Sequence, residues 1–234
     1  TSNEIIFGVR FEGPGQKEGA SFNAHWNTPL EALNGTLDLA DDYYTLEGKK
    51  TTDTNYGVMK DGKLDVTQPN AEHFANRDPR LYVTLFVPGM TWNGKGGEGA
   101  WYGGAAASLS SVYVMKYFDP TDTSNSWDNG QDFYVIRYAE VLLSLAEALV
   151  QNGNYDEARV RDLVNQVRQR ADVMMPTVES VEGTGLSKEA LLEVIKHERR
   201  VELAFEGLRL FDVYRWKELD KAVANIEKER TTLG

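Results

Sequence analysis

The sequence predicts a mainly α chain, with helical hairpins in its second half and an irregular, loop-rich region with a few short strands in its first. Three observations carry this. Composition changes near residue 134: before it, Gly, Asn, Asp, Thr and Trp are scattered among short apolar runs, and after it stretches rich in Ala, Leu, Glu and Arg take over. Those later stretches repeat apolar residues at the 3.6-residue period of an amphipathic helix. Aromatic residues make up 11% of the chain, with 5 Trp and 11 Tyr, and four of the tryptophans fall in the first half. Residues 1–133 therefore read as the loop-rich region and 134–234 as the helical one.

Taken in order, three short strands are expected, at Ile5–Phe11, Leu81–Val87 and Val112–Phe118. The first two run into turn signals, Gly13-Pro14 and Pro88-Gly89. Leu30, Leu33, Leu37 and Ala40 recur at helical spacing and place one short helix between Pro29 and Tyr44. In the second half, Ile136 to Gln151 reads as one helix. Arg137, Glu140, Ser144, Glu147 and Gln151 fall in a narrow stripe with all other directions apolar, which predicts burial on most sides. Gly153-Asn154 accepts the left-handed conformation that ends a helix. A second helix, Tyr155 to about Ala171, follows so closely that the two must pack antiparallel. Ala146-Glu147-Ala148-Leu149, followed by Gly153-Asn154-Tyr155-Asp156-Glu157-Ala158, looks like the inter-helix turn of a tetratricopeptide repeat, of which one unit is visible. After a loop containing Pro176, Gly183 and Gly185, Ser187 caps a third helix, with Leu186 and Leu191 as a hydrophobic staple. That helix is expected to reach about Glu206 and stop at Gly207. A fourth runs through Leu210, Phe211, Tyr214, Trp216, Leu219, Val223 and Ile226.

Charge and composition exclude several functions. Asp plus Glu number 36 against 25 Lys plus Arg, a formal charge of −11. Nucleic acid needs a basic footprint and is not an expected partner. The absence of cysteine removes disulfides, thiolate metal sites and a cysteine nucleophile. No apolar run approaches the roughly 18 residues of a membrane-spanning helix.

The third helix carries charges where core belongs. Leu191, Val194, Ile195, Val201 and Phe205 define its apolar face, and Glu198 and Glu202 sit in the middle of it. A bare carboxylate there costs several kcal/mol, so each needs a partner, with Arg137, Arg168, Arg170, Arg209 and Arg215 as candidates. Paired carboxylates also serve acid–base chemistry. A buried Glu–Arg lattice that fixes helix register is the preferred reading, because so many guanidinium groups would keep the carboxylates ionised. Other motifs fail. His197-Glu198 has Val201 where a zinc-protease helix needs its second histidine. His25, His73 and His197 are far apart in sequence, so no metal or cofactor is expected. Gly94 to Gly99 matches a dinucleotide fingerprint by letter only, outside any βαβ unit. The Asx-rich segment Asp119–Asp132 misses the EF-hand spacing, which favours a solvated loop over a calcium site.

The helices then resemble a known family. Arg137-Tyr138-Ala139-Glu140-Val141-Leu142-Leu143 with Ala146-Glu147-Ala148, and Asn165-Gln166-Val167-Arg168-Gln169-Arg170-Ala171, are similar to segments of the SusD/RagB family of glycan-binding outer-membrane lipoproteins. The most specific piece is His197 through Arg209, His-Glu-Arg-Arg-Val-Glu-Leu-Ala-Phe-Glu-Gly-Leu-Arg, continuing to Asp212 and Arg215-Trp216. Arg77-Asp78-Pro79-Arg80-Leu81 and the opening Asn3-Glu4-Ile5-Ile6-Phe7 fit as well, in the family's order. Members of the family are longer, with a lipidated cysteine and further tetratricopeptide-like helices ahead of this region and another segment after it. The resemblance therefore implies a C-terminal-half fragment whose lone hairpin is covered by the absent helices.

The resemblance also implies a non-enzymatic role. Such a protein captures oligosaccharide or polysaccharide at the outer face of the outer membrane and passes it to a SusC-like TonB-dependent transporter. Its contact with the membrane would be through a lipid anchor outside this sequence. Sugar rings stack apolar C–H faces on flat aromatics while amides meet their hydroxyls. The expected ligand-binding residues are Trp26, Asn27, Trp92, Asn93, Trp101 and Tyr102, each on a polar or glycine-rich loop. Trp127 is a lesser candidate, and Trp216 is read as packing. A peptide or other nutrient on the same fold, a glycoside hydrolase and a helical interaction module are the alternatives.

Overall fold

The computed structural model describes residues 4–13, 34–90, 110, 112–117, 128 and 130–233. The opening strand β1 (Ile5–Val9) pairs antiparallel with β6 (Phe133–Arg137), so the start of the chain lies against the entry to the helical half. β1 ends at Val9, and the Phe11 N–H instead donates to the Asp132 carboxylate, 3.3 Å away. The first helix, α1 (Leu37–Asp42), is capped by Thr36, whose hydroxyl accepts from the Leu39 N–H. A hairpin of β2 (Gly57–Lys60) and β3 (Lys63–Pro69) follows. Asp61 and Gly62 take φ of 53° and 80° at its tip. Asp-Gly between strands is a strong hairpin signal, because a tight turn matching strand twist needs two left-handed residues.

The expected strand at Leu81–Val87 is corrected. Its first half is a helical turn, α2 (Leu81–Thr84), and only β4 (Leu85–Phe86) is extended, paired with β5 (Tyr113–Val114). Local chemistry explains this. The Leu81 N–H bonds back to the Asp78 carbonyl at 2.9 Å, and the Asp78 carboxylate accepts the Arg80 N–H at 3.0 Å. That starts a turn before the β-branched residues can extend. The strand expected over Val112–Phe118 shrinks to Tyr113–Val114, and Tyr117 turns away at φ 65°. Phe118 lies outside the described residues.

The helical half begins later than its periodicity suggests. Ile136 and Arg137 belong to β6, and α3 is Tyr138–Asn152, because Ile136 pairs with Phe7 and Arg137 with Ile5. Gly153 ends α3 at φ 81°. The next helix, α4 (Glu157–Arg168), starts at Asp156, which accepts the Ala158 N–H at 2.9 Å, and packs antiparallel on α3. The expectation that α3 is buried on most sides does not hold. Its core face, with Leu143, Ala146 and Val150, is sealed, but Tyr138, Val141 and Leu145 remain 46%, 42% and 41% exposed.

A short turn of helix, α5 (Val178–Val181), leads to α6 (Lys188–Glu202). Ser187 caps it as expected, accepting the Ala190 N–H at 3.2 Å. Leu186 packs on the cluster that contains Leu191. The helix stops at Glu202, short of Glu206, since Phe205 adopts φ 62°. The expected fourth helix is two, α7 (Arg209–Arg215) and α8 (Leu219–Leu233), separated where Lys217 takes φ 59°.

Apolar packing forms two main clusters. One lies among α3, α4 and α6, around Leu143, Leu163 and Ile195. The other gathers Leu37, Tyr43, Leu81, Leu85 and Val112 from the first half with Val201 from α6. The Tyr43 hydroxyl donates to the Val201 carbonyl at 3.0 Å. Helix α6 therefore serves both cores.

Candidate functional site

The six expected ligand-binding residues, Trp26, Asn27, Trp92, Asn93, Trp101 and Tyr102, lie outside the described residues, as do Trp127 and most of the Asp119–Asp132 segment. Their described flanks, however, have a definite arrangement. Asn34 forms a bridge with Tyr113, and the Gly35 N–H donates to the Val112 carbonyl at 3.0 Å. The Ser110 hydroxyl donates to the Gly35 carbonyl at 2.6 Å. Met90 packs against Phe86 and Tyr113. Gly13 and Gly130 approach so closely that a Cβ on Gly130 would stand 2.9 Å from the Gly13 oxygen. The Tyr117 ring lies 5.1 Å from Phe133 and 5.9 Å from Tyr134. Residues bordering 14–33, 91–109 and 118–127 therefore gather around β4, β5 and the start of β6.

Behind this region stands the ion-pair lattice. Glu198 is fully buried and accepts from Arg80 Nη1 at 2.5 Å and from Arg168 Nε at 2.8 Å. Glu202 accepts from Arg80 at 3.0 Å and Arg137 at 2.6 Å, and pairs with Arg170. Arg137 grips Glu206 with two further bonds of 2.7 and 2.8 Å, and Lys116 pairs with the same carboxylate. Arg80 also holds Asp78 at 2.7 Å. Burial alone would push the Glu198 carboxyl up, but the Arg80 and Arg168 guanidiniums hold it at about 2. Glu202, likewise buried, is held well below the usual carboxylate range by Arg137, Arg80 and Arg170.

Three of the expected Arg partners, Arg137, Arg168 and Arg170, do meet these carboxylates; two do not. Arg215 turns to Glu147 and Asp212, and the Trp216 indole donates to Glu147 at 2.7 Å. Arg209 lies against the Trp216 ring, 5.6 Å from its centroid. The sequence reading missed Arg80, the cation shared by Glu198 and Glu202, and the Arg199–Asp212 pair at 3.0 Å. Periodicity within helices carries no signal for Arg80, which comes from a turn in the first half. Glu198 and Glu202 thus share guanidiniums rather than a proton. An acid for glycosidic cleavage must hold a proton near neutral pH, which neither does.

The histidines are also spoken for. Buried His73 sits between Asp41 at 2.8 Å and Asp53 at 3.5 Å. His197 Nε2 contacts the Asp42 carbonyl at 2.7 Å, with Tyr44 stacked at 3.9 Å. Among the described residues no group of three His, Cys, Asp or Glu is placed to hold a metal ion. Two cavities open beside the lattice. One, of about 480 Å³, lies among α1, α6 and α8 and is lined largely by charged groups. The other, of about 570 Å³, lies over the Arg137–Glu202–Glu206 face and is walled by Tyr117, Tyr134, Met115 and Val83.

A helical frame tied by buried arginines, with aromatic-bearing segments rooted at one edge, is the architecture of a binding scaffold. The chain belongs to the SusD family, whose model matches residues 3–233. A SusD-like carbohydrate-binding protein of Bacteroides fragilis superposes with a TM-score of 0.68 at 27% identity, covering 92% of this chain and 42% of that one. A second SusD-like protein of the same organism gives 0.67 at 27% identity, covering 92% and 43%. A SusD-like protein of Formosa agariphila is 35% identical over 113 residues, 47% of this chain and 22% of the relative. The chain thus spans less than half the length of the proteins it matches.

Proposed function

We propose that this chain is part of a cell-surface protein that binds oligosaccharide or polysaccharide without cleaving it. The observation that carries this is SusD-family membership over residues 3–233, joined to the likeness in fold to a carbohydrate-binding relative. Pyranose rings bind by laying C–H faces on aromatic rings and bonding hydroxyls to amides and charged groups. Trp26, Trp92, Trp101 and Tyr102, with Asn27 and Asn93, supply that chemistry. The gathering of their flanks around β4 and β5 supports a common platform. The ionised state of the buried carboxylates supports a binding rather than a hydrolytic role. The whole protein would sit on the outer membrane through a lipid anchor and deliver glycan to a SusC-like TonB-dependent transporter. No described helix is long and apolar enough to cross a membrane.

Tryptophan fluorescence during titration with an oligosaccharide panel tests the reading. A saturable change with a glycan, lost in Trp26→Ala or Trp92→Ala and kept in Trp216→Phe, is the expected result. A folded protein that stays silent across the panel, or responds only to a peptide pool, overturns it. Release of reducing sugar would overturn the non-catalytic part.

A further inference from the structure

The cavity of about 570 Å³ over the lattice falls within the roughly 300–1,000 Å³ typical of small-molecule sites. We infer that it is a second saccharide subsite, apart from the tryptophan-bearing segments, and that it takes a neutral sugar unit rather than an acidic one. This rests on the glycan-binding reading above and narrows its ligand class.

Four observations carry the inference. Tyr117 and Tyr134 wall the cavity, their rings 5.9 Å apart and inclined at 53°, so neither face is covered by flat stacking on the other. Together with Met115 and Val83 they offer the apolar surface that the C–H face of a pyranose needs. Tyr117 is held at φ 65°, a conformation that costs a bulky residue of its kind and that concentrates at ligand sites. In a stretch where glycine would be free of strain, the chain keeps a ring at the cavity wall.

The electrostatics then select among sugars. Four cations line the cavity, Arg80, Lys116, Arg137 and Arg170, and every one is already matched. Arg80 pairs with Glu202, Arg137 with Glu4, Glu202 and Glu206, Lys116 with Glu206, and Arg170 with Glu202 and Asp172. A uronate or sulfate would have to displace a buried carboxylate to reach a guanidinium, leaving that carboxylate uncompensated. A neutral polyol displaces nothing. Its hydroxyls can bond to the Gln131 amide at the rim and to Asp172, whose side chain is 78% exposed. The lattice beneath is rigid because each of its groups is bonded several times over, which pre-orders the floor for hydroxyl contacts.

Calorimetric titration of the chain with malto-, cello- and laminari-oligosaccharides and with oligogalacturonate tests this, alongside Tyr117→Gly, Tyr134→Ala and Gln131→Ala. Tyr117→Gly is informative because it removes the ring and relieves the backbone at once. The variant should fold with unchanged or greater thermal stability. It should nevertheless bind the preferred neutral oligosaccharide about tenfold more weakly, as should Tyr134→Ala. Binding that all three variants retain at full strength, while Trp26→Ala abolishes it, overturns the subsite and leaves glycan binding intact. A preference for oligogalacturonate overturns the neutral-sugar assignment. Silence toward every saccharide from a folded wild-type chain removes the glycan reading itself, and the subsite with it.

Discussion

Arg80 shows how much one side chain can decide. It leaves a turn in the first half of the chain, bonds Asp78 behind it, and reaches both Glu198 and Glu202 on α6. Those carboxylates could not remain ionised inside the protein without it and its neighbours Arg137, Arg168 and Arg170. Because the Glu198 carboxyl titrates at about 2 when folded, against 4.5 when unperturbed, its contribution to stability is complete above pH 4.5. It is lost as pH falls from there toward 2, where the folded group takes up its proton. Glu198→Gln should therefore lower unfolding free energy at pH 7 by about 3–5 kcal/mol, since Arg80 and Arg168 lose a buried counter-charge. It should also flatten the acid side of the stability profile between pH 4.5 and 2. Urea unfolding of both proteins across that range measures the two effects together. An unchanged acid limb in the variant would show that the lattice does not act through this carboxylate.

At the scale of elements, ends were more legible than beginnings. Ser187 and Gly153 announce their helix boundaries because capping is local chemistry: a hydroxyl two or three residues from an unpaired N–H, a glycine where φ must be positive. Ser187→Ala should cost about 1 kcal/mol of stability, read from a lowered melting temperature, with glycan affinity unchanged. Where the outcome depended on a distant partner, periodicity misled. Ile136 and Arg137 continue the helical pattern of α3, yet pairing with β1 draws them into a strand. Leu81–Thr84 has a strand-like composition, yet Asp78 and Arg80 wind it into a turn. The β2–β3 hairpin was missed despite a legible Asp61-Gly62 signal, because the flanking strands lack a clean alternation of apolar and polar residues.

At the scale of the molecule, the two compositionally different stretches share structure at three places. Strand β1 pairs with β6, Val201 joins the apolar cluster of α1 and β4, and Arg80 enters the lattice of α6. Buried amides of α1 and of α3 should consequently exchange with solvent through openings of similar free energy in native-state hydrogen exchange. A gap of several kcal/mol between them would show two independently folding units. The sequence by itself determined the mainly α class, the hairpin of α3 and α4, the caps, the need for a buried Glu–Arg lattice and the family, all of which follow from short-range spacing or residue identity. Only the tertiary structure decided which arginines satisfy Glu198 and Glu202, where helices yield to strands, and that Tyr117 and Tyr134 meet over the lattice. The reason is physical. A cap or a period is fixed by neighbours a few residues away, whereas a buried charge takes whichever partner the whole fold brings within reach.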